Sequence, residues 1–209
     1  GPGVDAIIGG LRRPPGGQLH NSAVHVGPDG KLKGSYDKTI LVPFGETMPL
    51  SDVFPALKNS IPGVGDFGRG DRPCRFDVLG ERVACGICYE SIFPGFTRAT
   101  AAEDASLLVN LTIDVWFGRS TAPWFHLMVQ SSRAAELGVP MIRSALTGIS
   151  AIVGPDGVPT QVLPLGEHGL LAADVPLRDL VTPYRVVGPL FGWLCLLLST
   201  GTLFVAFRA

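Results

Sequence analysis

The stretch ERVACGICYE, residues 81–90, decides how this chain is to be read. It opens as an apolar run of strand character and carries Cys85 and Cys88 in a C-x-x-C spacing, followed by Tyr89 and Glu90. Side chains alternate faces along a strand, so the two thiols would point to opposite sides of a sheet. That placement opposes a shared zinc ion or an intramolecular disulfide. No second C-x-x-C and no histidine pair at ligand spacing accompanies the stretch. A redox motif normally opens a helix, whereas CYESIFPG follows an apolar strand. Cys85 is therefore expected in the sheet packing and Cys88 at the strand end, where the chain turns through Tyr89 and Glu90. A nucleophile at a sharp strand-to-helix turn projects its side chain and leaves the following backbone N–H groups free to hold an oxyanion. A lone cysteine at a strand end is more often structural, so the residue pattern leaves both readings open.

Outward from this stretch, strands and helices alternate. Residues 6–10 read as a strand, followed by a polar loop. SAVHVGPDGKLKGSYDK gives two extended runs around a Pro-Asp-Gly turn, a hairpin by local chemistry. VGPDG recurs at 153–157 and marks a second, similar hairpin rather than a duplication. RFDVLGERVACGICYE is a further strand pair turning near Gly80 and Glu81. PGFTRATAAEDA has helical character, and SLLVNLTID is a buried strand of consecutive apolar residues. APWFHLMVQSSRAAELGVP carries apolar side chains at helical spacing, from after Pro123 to near Gly138. MIRSAL and HGLLAADVPL read as further strands. The alternation predicts an α/β layered domain over residues 1–185, with no evident linker before about residue 180.

At 209 residues the chain can bury a substantial core. Its formal net charge of −1 gives no basic field, so no nucleic-acid partner is expected. Residues 186–207, VVGPLFGWLCLLLSTGTLFVAF, contain no charged residue. Twenty-two residues at about 1.5 Å rise match a hydrocarbon core of roughly 30 Å, so a transmembrane helix is expected there. Pro189 suits its first turn, and Trp193 is a typical interfacial ring. Arg178 and Arg185 precede the segment and Arg208 follows it, so flanking charge does not fix its orientation. At the other end, GPGVDAIIGG has neither an initiating Met nor a signal-like segment. DAIIGG reads as a strand already in progress, and the chain is expected to be truncated on its amino side.

A thiol nucleophile needs a base or a depressed pKa. His20, His25, His126 and His168 sit in unrelated contexts, and His126, in PWFHLM, reads as a packed helix residue. Lys38, in SYDKTILVPFGE, ends a hairpin strand ahead of an apolar run. A solvated surface lysine is the plainer reading. Glu46 closes the same run after Pro43 and Gly45, where a structural role would be unremarkable.

YDKTILVPFGE, CGICYE and DVWFGRSTAPWFHLMVQSSRAAELGVPMIRSALTGISAIVGPDG together resemble the nitrilase (carbon-nitrogen hydrolase) superfamily and, within it, the apolipoprotein N-acyltransferases of bacteria. The likeness covers roughly residues 6–185 in order, and the terminal apolar segment matches that family's last membrane span. LVPFGE, ICYE and WFG with PW.H downstream are specific in combination. The resemblance implies an αββα sandwich, incomplete here at its amino side, with a Glu-Lys-Cys triad. Cys88 would be the nucleophile and Lys38 the stabiliser of the oxyanion, helped by the backbone N–H of Tyr89. Glu46 and Glu90 match acidic positions that support the site. The general-base Glu of the family matches no residue here, since the first Glu in the chain is Glu46. The chain alone is accordingly expected to be inactive.

The resemblance further implies a phospholipid acyl donor, a Cys thioester intermediate and the diacylglyceryl-cysteine of a lipoprotein as acceptor. It implies no cofactor and no metal, and a multi-pass protein of the bacterial inner membrane with its catalytic domain on the extracytoplasmic side. Trp116 and Phe117 are plausible lining of an acyl pocket, or ordinary core packing. An amidase hydrolysing a carbon-nitrogen bond and a catalytically dead membrane-anchored scaffold are the competing readings; the terminal apolar segment argues against the first, and the unmatched base sustains the second. RGD at 69–71 and NLT at 110–112 are discounted as an adhesion tripeptide and a glycosylation sequon, the latter because it lies within a buried-strand pattern.

Overall fold

The computed structural model describes residues 3–51, 53–59, 61–62, 64–102, 104–177 and 180–207. Strands β1 (Ala6–Arg12), β2 (His20–Val26) and β3 (Leu32–Asp37) form an antiparallel meander in that order. The Pro-Asp-Gly turn joins β2 to β3 as its chemistry predicts, with Gly30 at φ 77°, a conformation costly for any residue with a Cβ. β1 runs two residues beyond the expected Gly10 because every residue to Arg12 finds a partner on β2.

A six-stranded sheet lies against this meander. Its order is β4 (Cys74–Val78), β5 (Glu81–Ile87), β6 (Leu107–Thr112), β7 (Met141–Ala145), β8 (Ser150–Val153) and β9 (Pro159–Leu163). β5, β6 and β7 are parallel, and the remaining pairs are antiparallel hairpins. The parallel strands require crossovers, which α1 (Pro94–Ala101) and α2 (Ala122–Leu137) supply. Pro stands in the first turn of each helix, and Gly138, at φ 68°, ends α2.

Period-two alternation sorts the large sheet's side chains into two cores. Val83, Cys85, Ile87 and Val109 meet Ala23, Tyr36 and Phe76 between the sheets. Ala84, Leu108 and Met141 meet Ala101, Leu127, Ala134 and Leu137 beneath the helices. The layers are thus helix, sheet, sheet. Among the described residues no α-helix packs extensively on the outer face of the meander, so three layers of the expected αββα order are seen.

Two expectations need correction. HGLLAADVPL, residues 168–177, forms no strand; Leu170 and Leu177 are exposed, and Leu171 and Val175 are only half-buried. Gln161 Nε2 donates to the Ala172 carbonyl at 3.0 Å, which draws the segment beside edge strand β9 without a ladder. Residues 186–207 are not one continuous helix either. Val186 and Val187 close the short helix α3 (Pro183–Val187), and the chain breaks at Gly188, φ 62°, and Pro189 before α4 (Leu190–Ala206). Proline lacks the N–H that would continue the ladder. Among the described residues no helix is long and apolar enough to cross a membrane. Arg178 and Arg208 lie outside the described residues.

Candidate active site

The carboxyl ends of the parallel strands build the site. Ala84, Leu108 and Met141 form one apolar row across β5, β6 and β7; two residues further along, the same row is Gly86, Asn110 and Arg143. The helix-facing surface therefore changes from apolar to polar where the strands end. A Cβ at Gly86 would sit 2.7 Å from Ser91 Oγ, so a larger residue there would have to turn that hydroxyl away from Asn110 Nδ2.

β5 ends at Ile87, and Cys88 opens a short 3-10 turn, Cys88–Ile92. Cys88 has φ 52°, left-handed backbone that a residue with a Cβ rarely adopts. Such strain, of order 1–3 kcal/mol, persists only where surrounding contacts over-determine it. Glu90 supplies many of them. It is fully buried, and its Oε1 accepts from Tyr36 OH at 2.7 Å, Thr39 N at 2.6 Å, Thr39 Oγ1 at 2.9 Å and Ile40 N at 2.9 Å. Its Oε2 accepts from Ile87 N at 2.9 Å. Burial first, and then the Glu90 charge, push the Tyr36 hydroxyl far above its ordinary pKa, so Tyr36 remains a donor. One carboxylate thus ties the turn after Cys88 to the segment that carries Lys38.

Lys38 is completely buried, which rules out the solvated-surface reading. Its Nζ donates to Glu46 Oε1 at 2.9 Å and Oε2 at 2.7 Å, and Val42 N and Asn21 Nδ2 hold the same carboxylate. A buried ammonium is tolerated only when it is paired in this way. Among the described residues no hydrogen bond joins Lys38 to Cys88. The two are linked through Glu90 and its neighbours.

On the helix side of Cys88 lies a cluster that the sequence did not announce. Cys88 Sγ, a carboxylate oxygen of Asp114 and a ring nitrogen of His126 lie within 4.8 Å of one another. Asp114 Oδ2 accepts from Arg143 Nη2 at 2.6 Å, and Asp114 Oδ1 lies 2.9 Å from His126 Nδ1. Burial alone would raise the Asp114 carboxyl, but the His126 hydrogen bond and the charge of Arg143 outweigh it and hold the group below its ordinary pKa. This trio has metal-ligand chemistry, yet the guanidinium already neutralises Asp114, and a bound cation would face a like charge. Asn110 Nδ2 donates to the carbonyls of Gly86 at 3.2 Å and Cys88 at 3.3 Å, and to Ser91 Oγ at 2.7 Å. Asn110 is buried, as the dismissal of its sequon requires.

The structure therefore groups Lys38 with Glu46, joins Glu90 to both the Lys38 segment and the turn, and places Cys88 at the strand end. Tyr89 is the second residue of the 3-10 turn, its ring edge-on to Phe93 at 5.0 Å. His126 is buried as expected, but in a polar network. Trp116 is 75% exposed and not core, whereas Phe117 lies edge-on to the His126 ring at 5.6 Å. Cys85 is fully buried beside its ladder partner Cys74. The Cys74 hydrogen bond and then burial push its thiol well above the ordinary value. A cavity of about 490 Å3 opens between β3 and β4, lined by Arg12, Tyr36, Asp37, Arg72 and Phe76, and Cys88 is not among its walls. Asp114, Gln130 and Arg143 escaped the sequence reading. Arg143 left the clearest signal, a charge inside the apolar strand MIRSA.

Residues 3–185 match the model of the carbon-nitrogen hydrolase family. The chain belongs to the carbon-nitrogen hydrolase family. Curated relatives are apolipoprotein N-acyltransferases. That of Geobacter metallireducens is 37% identical over 188 residues, covering 90% of this chain and 36% of the relative. That of Caulobacter vibrioides is 36% identical over 211 residues, covering 96% and 39%. The chain thus spans little more than a third of the length of these relatives. Among solved structures, a carbon-nitrogen hydrolase from Helicobacter pylori G27 superposes with a TM-score of 0.63 at 18% identity, covering 79% of this chain and 60% of that one. An amidase from Nesterenkonia sp. AN1, seen with acrylamide added at its active-site cysteine, gives 0.57 at 22% identity over 78% and 60%. These likenesses show the family's nitrilase-like α/β fold.

Proposed function

We propose that this chain carries the acyl-transfer chemistry of an apolipoprotein N-acyltransferase, with Cys88 as nucleophile. The observation that carries the reading is the strained turn at Cys88, locked through buried Glu90 to the segment holding the buried Lys38–Glu46 pair. Identity of 35–42% to enzymes of that name supports the substrate class.

Deprotonated Cys88 Sγ adds to the ester carbonyl of a phospholipid. Lys38 and the backbone N–H of Tyr89 hold the resulting oxyanion, Tyr89 lying in the first turn of the 3-10 segment, where N–H groups lack intrahelical acceptors. Collapse breaks the ester C–O bond, the lysophospholipid leaves with a proton, and a thioester remains on Cys88. The α-amine of the acceptor's diacylglyceryl-cysteine then attacks the thioester, forming the amide and returning the thiol. The carboxylate that takes the Cys88 proton matches no residue of this chain. The 209 residues alone are therefore expected to form no thioester.

A membrane setting, the bacterial inner membrane with the domain on the extracytoplasmic side, belongs to the same proposal. It is supported by α4, whose Phe191, Trp193, Leu197, Leu198 and Leu203 are all exposed. Such a surface calls for a partner other than water. As a helix α4 spans 17 residues, about 25 Å, so a bilayer would have to thin or the flanking residues extend the span.

The test is mass spectrometry of the full-length protein incubated with phospholipid. An acyl adduct on Cys88, absent in Cys88→Ala, is expected. An adduct on Cys85, or hydrolysis of simple amides without transfer to a lipopeptide amine, would refute the assignment.

A further inference from the structure

Four side chains outside the Glu90 and Lys38 groups form an unbroken polar chain that ends on the carbonyl of Cys88. Arg143 Nη2 donates to Asp114 at 2.6 Å, and Asp114 faces His126 Nδ1 at 2.9 Å. Gln130 Nε2 lies 2.7 Å from His126 Nε2 and 3.1 Å from the Cys88 carbonyl oxygen. The protons in this chain can be assigned by donor and acceptor capacity. A carbonyl only accepts, so the Gln130 atom facing it is the amide NH2. The second N–H of that group points to His126 Nε2, which must then be an unprotonated acceptor. The ring proton sits on Nδ1 and goes to Asp114, an acceptor held ionised by Arg143. Arg143 Nη2 also stands 3.2 Å from Nδ1, but a protonated nitrogen accepts nothing, and the guanidinium N–H is given to Asp114 instead. His126 is therefore neutral, and the lone pair of its Nε2 is already engaged.

The oxygen that Gln130 grips belongs to the peptide between Cys88 and Tyr89. That peptide is planar, and its C=O and N–H point in opposite directions. Holding the oxygen on the helix side, with Asn110 as a second donor at 3.3 Å, aims the Tyr89 N–H away from it. The same grip opposes relaxation of the left-handed backbone at Cys88. The charged and titratable groups facing the ring are Asp114 from the loop after β6, Arg143 of β7 and Cys88 itself.

We propose that Arg143, Asp114, His126 and Gln130 are a positioning relay that fixes the Cys88–Tyr89 peptide for oxyanion binding, with His126 held neutral and taking no proton from the thiol. The inference rests on Cys88 being the nucleophile. It places two duties on opposite sides of the turn: base and lysine chemistry on one, backbone alignment on the other.

The experiment uses the full-length protein. Nitrogen-15 NMR of labelled histidine should show one His126 tautomer, protonated on Nδ1 alone, throughout the pH range in which Cys88 is alkylated by iodoacetamide. Gln130→Met removes both N–H donations without adding charge and keeps the side-chain length. It should slow acyl-adduct formation about a hundredfold at saturating phospholipid, as expected for a displaced reacting group. The KM for phospholipid and the pH midpoint of Cys88 alkylation should stay unchanged. His126→Asn should leave that midpoint unchanged too. An imidazolium signal that titrates with the thiol, or a midpoint raised in His126→Asn, would make His126 the base and overturn the relay. Wild-type adduct formation in Gln130→Met would overturn it equally. If that variant does not fold, the tautomer in the unmodified protein decides. Acyl transfer surviving in Cys88→Ala would instead overturn the functional reading, an outcome the tautomer measurement does not produce.

Discussion

Cys85 and Cys88 are three residues apart, and their surroundings have almost nothing in common. Cys85 lies between the two sheets beside Cys74, among Val83, Ile87, Tyr36 and Val109, with its thiol pushed up and so kept protonated. Cys88 stands past the last strand residue on left-handed backbone, with a carboxylate, an imidazole and a guanidinium close by. A cysteine is inert or useful according to what the chain places around it, and the end of a strand is where that environment changes. The same contrast holds across the sheet, where the apolar Ala84–Leu108–Met141 row gives way to Gly86–Asn110–Arg143.

The sharpest attack on this contrast is at Glu90. Glu90→Ala would strip acceptors from Tyr36 OH, Thr39 N and Oγ1, Ile40 N and Ile87 N, all held by this one side chain. Several unsatisfied buried donors should cost at least about 3 kcal/mol, read as a lowered urea midpoint. A loss below about 1 kcal/mol would mean the turn at Cys88 is held by something else.

Next in size is Lys38→Met. If Lys38 holds the oxyanion, the rate of thioester formation in the full-length protein should fall about a hundredfold or more. Alkylation of Cys88 by iodoacetamide serves as a control that the site is folded. An unchanged rate would reduce Lys38 to a partner of Glu46.

A pair of glycine variants then separates the two cysteines by sign. Cys85→Gly removes packed volume and adds backbone freedom to a strand, and should cost about 2 kcal/mol. Cys88→Gly relieves the left-handed strain while adding similar freedom to the unfolded chain, so stability should stay within about 1 kcal/mol of the original or rise. Equal losses at both positions would deny that Cys88 is strained.

The smallest effect concerns pH. His126, Arg143 and Thr112 hold Asp114 below its ordinary pKa against the opposing effect of burial. A carboxyl depressed in the folded state contributes stability that is fully present above its unfolded pKa, about 3.9, and is lost as pH falls through the folded value. The urea midpoint should therefore fall more steeply below about pH 4 in the original protein than in Asp114→Asn. Parallel profiles would show that Asp114 is not ionised in the cluster.

Much of the candidate site was legible because its parts lie in short contiguous runs. YDKTILVPFGE holds Lys38 and Glu46 within nine residues, and ICYE holds Cys88, Tyr89 and Glu90. The Pro-Asp-Gly hairpins and the Gly138 stop of α2 were readable for the same reason, since turn and cap chemistry is local. The strand expected at 168–177 failed because a short apolar run says nothing about whether a sheet edge is waiting to pair with it. The helix expected over 186–207 starts later than hydropathy alone suggests: Pro189, read as its first turn, stands just ahead of α4, and Gly188 separates Val186 and Val187 from it.

The sequence by itself determined the strand that delivers Cys88, the turn that follows it and the polar residues grouped around LVPFGE, because hydrogen-bond periodicity and backbone preference act over a few residues. Only the tertiary structure decided that Lys38 is buried, that Glu90 serves two segments at once, and that Asp114, His126, Gln130 and Arg143 converge on one carbonyl. Those residues lie up to 55 positions from Cys88. They meet it because parallel pairing of β5, β6 and β7 brings three strand ends side by side, an arrangement fixed by burial of the two cores rather than by any local pattern.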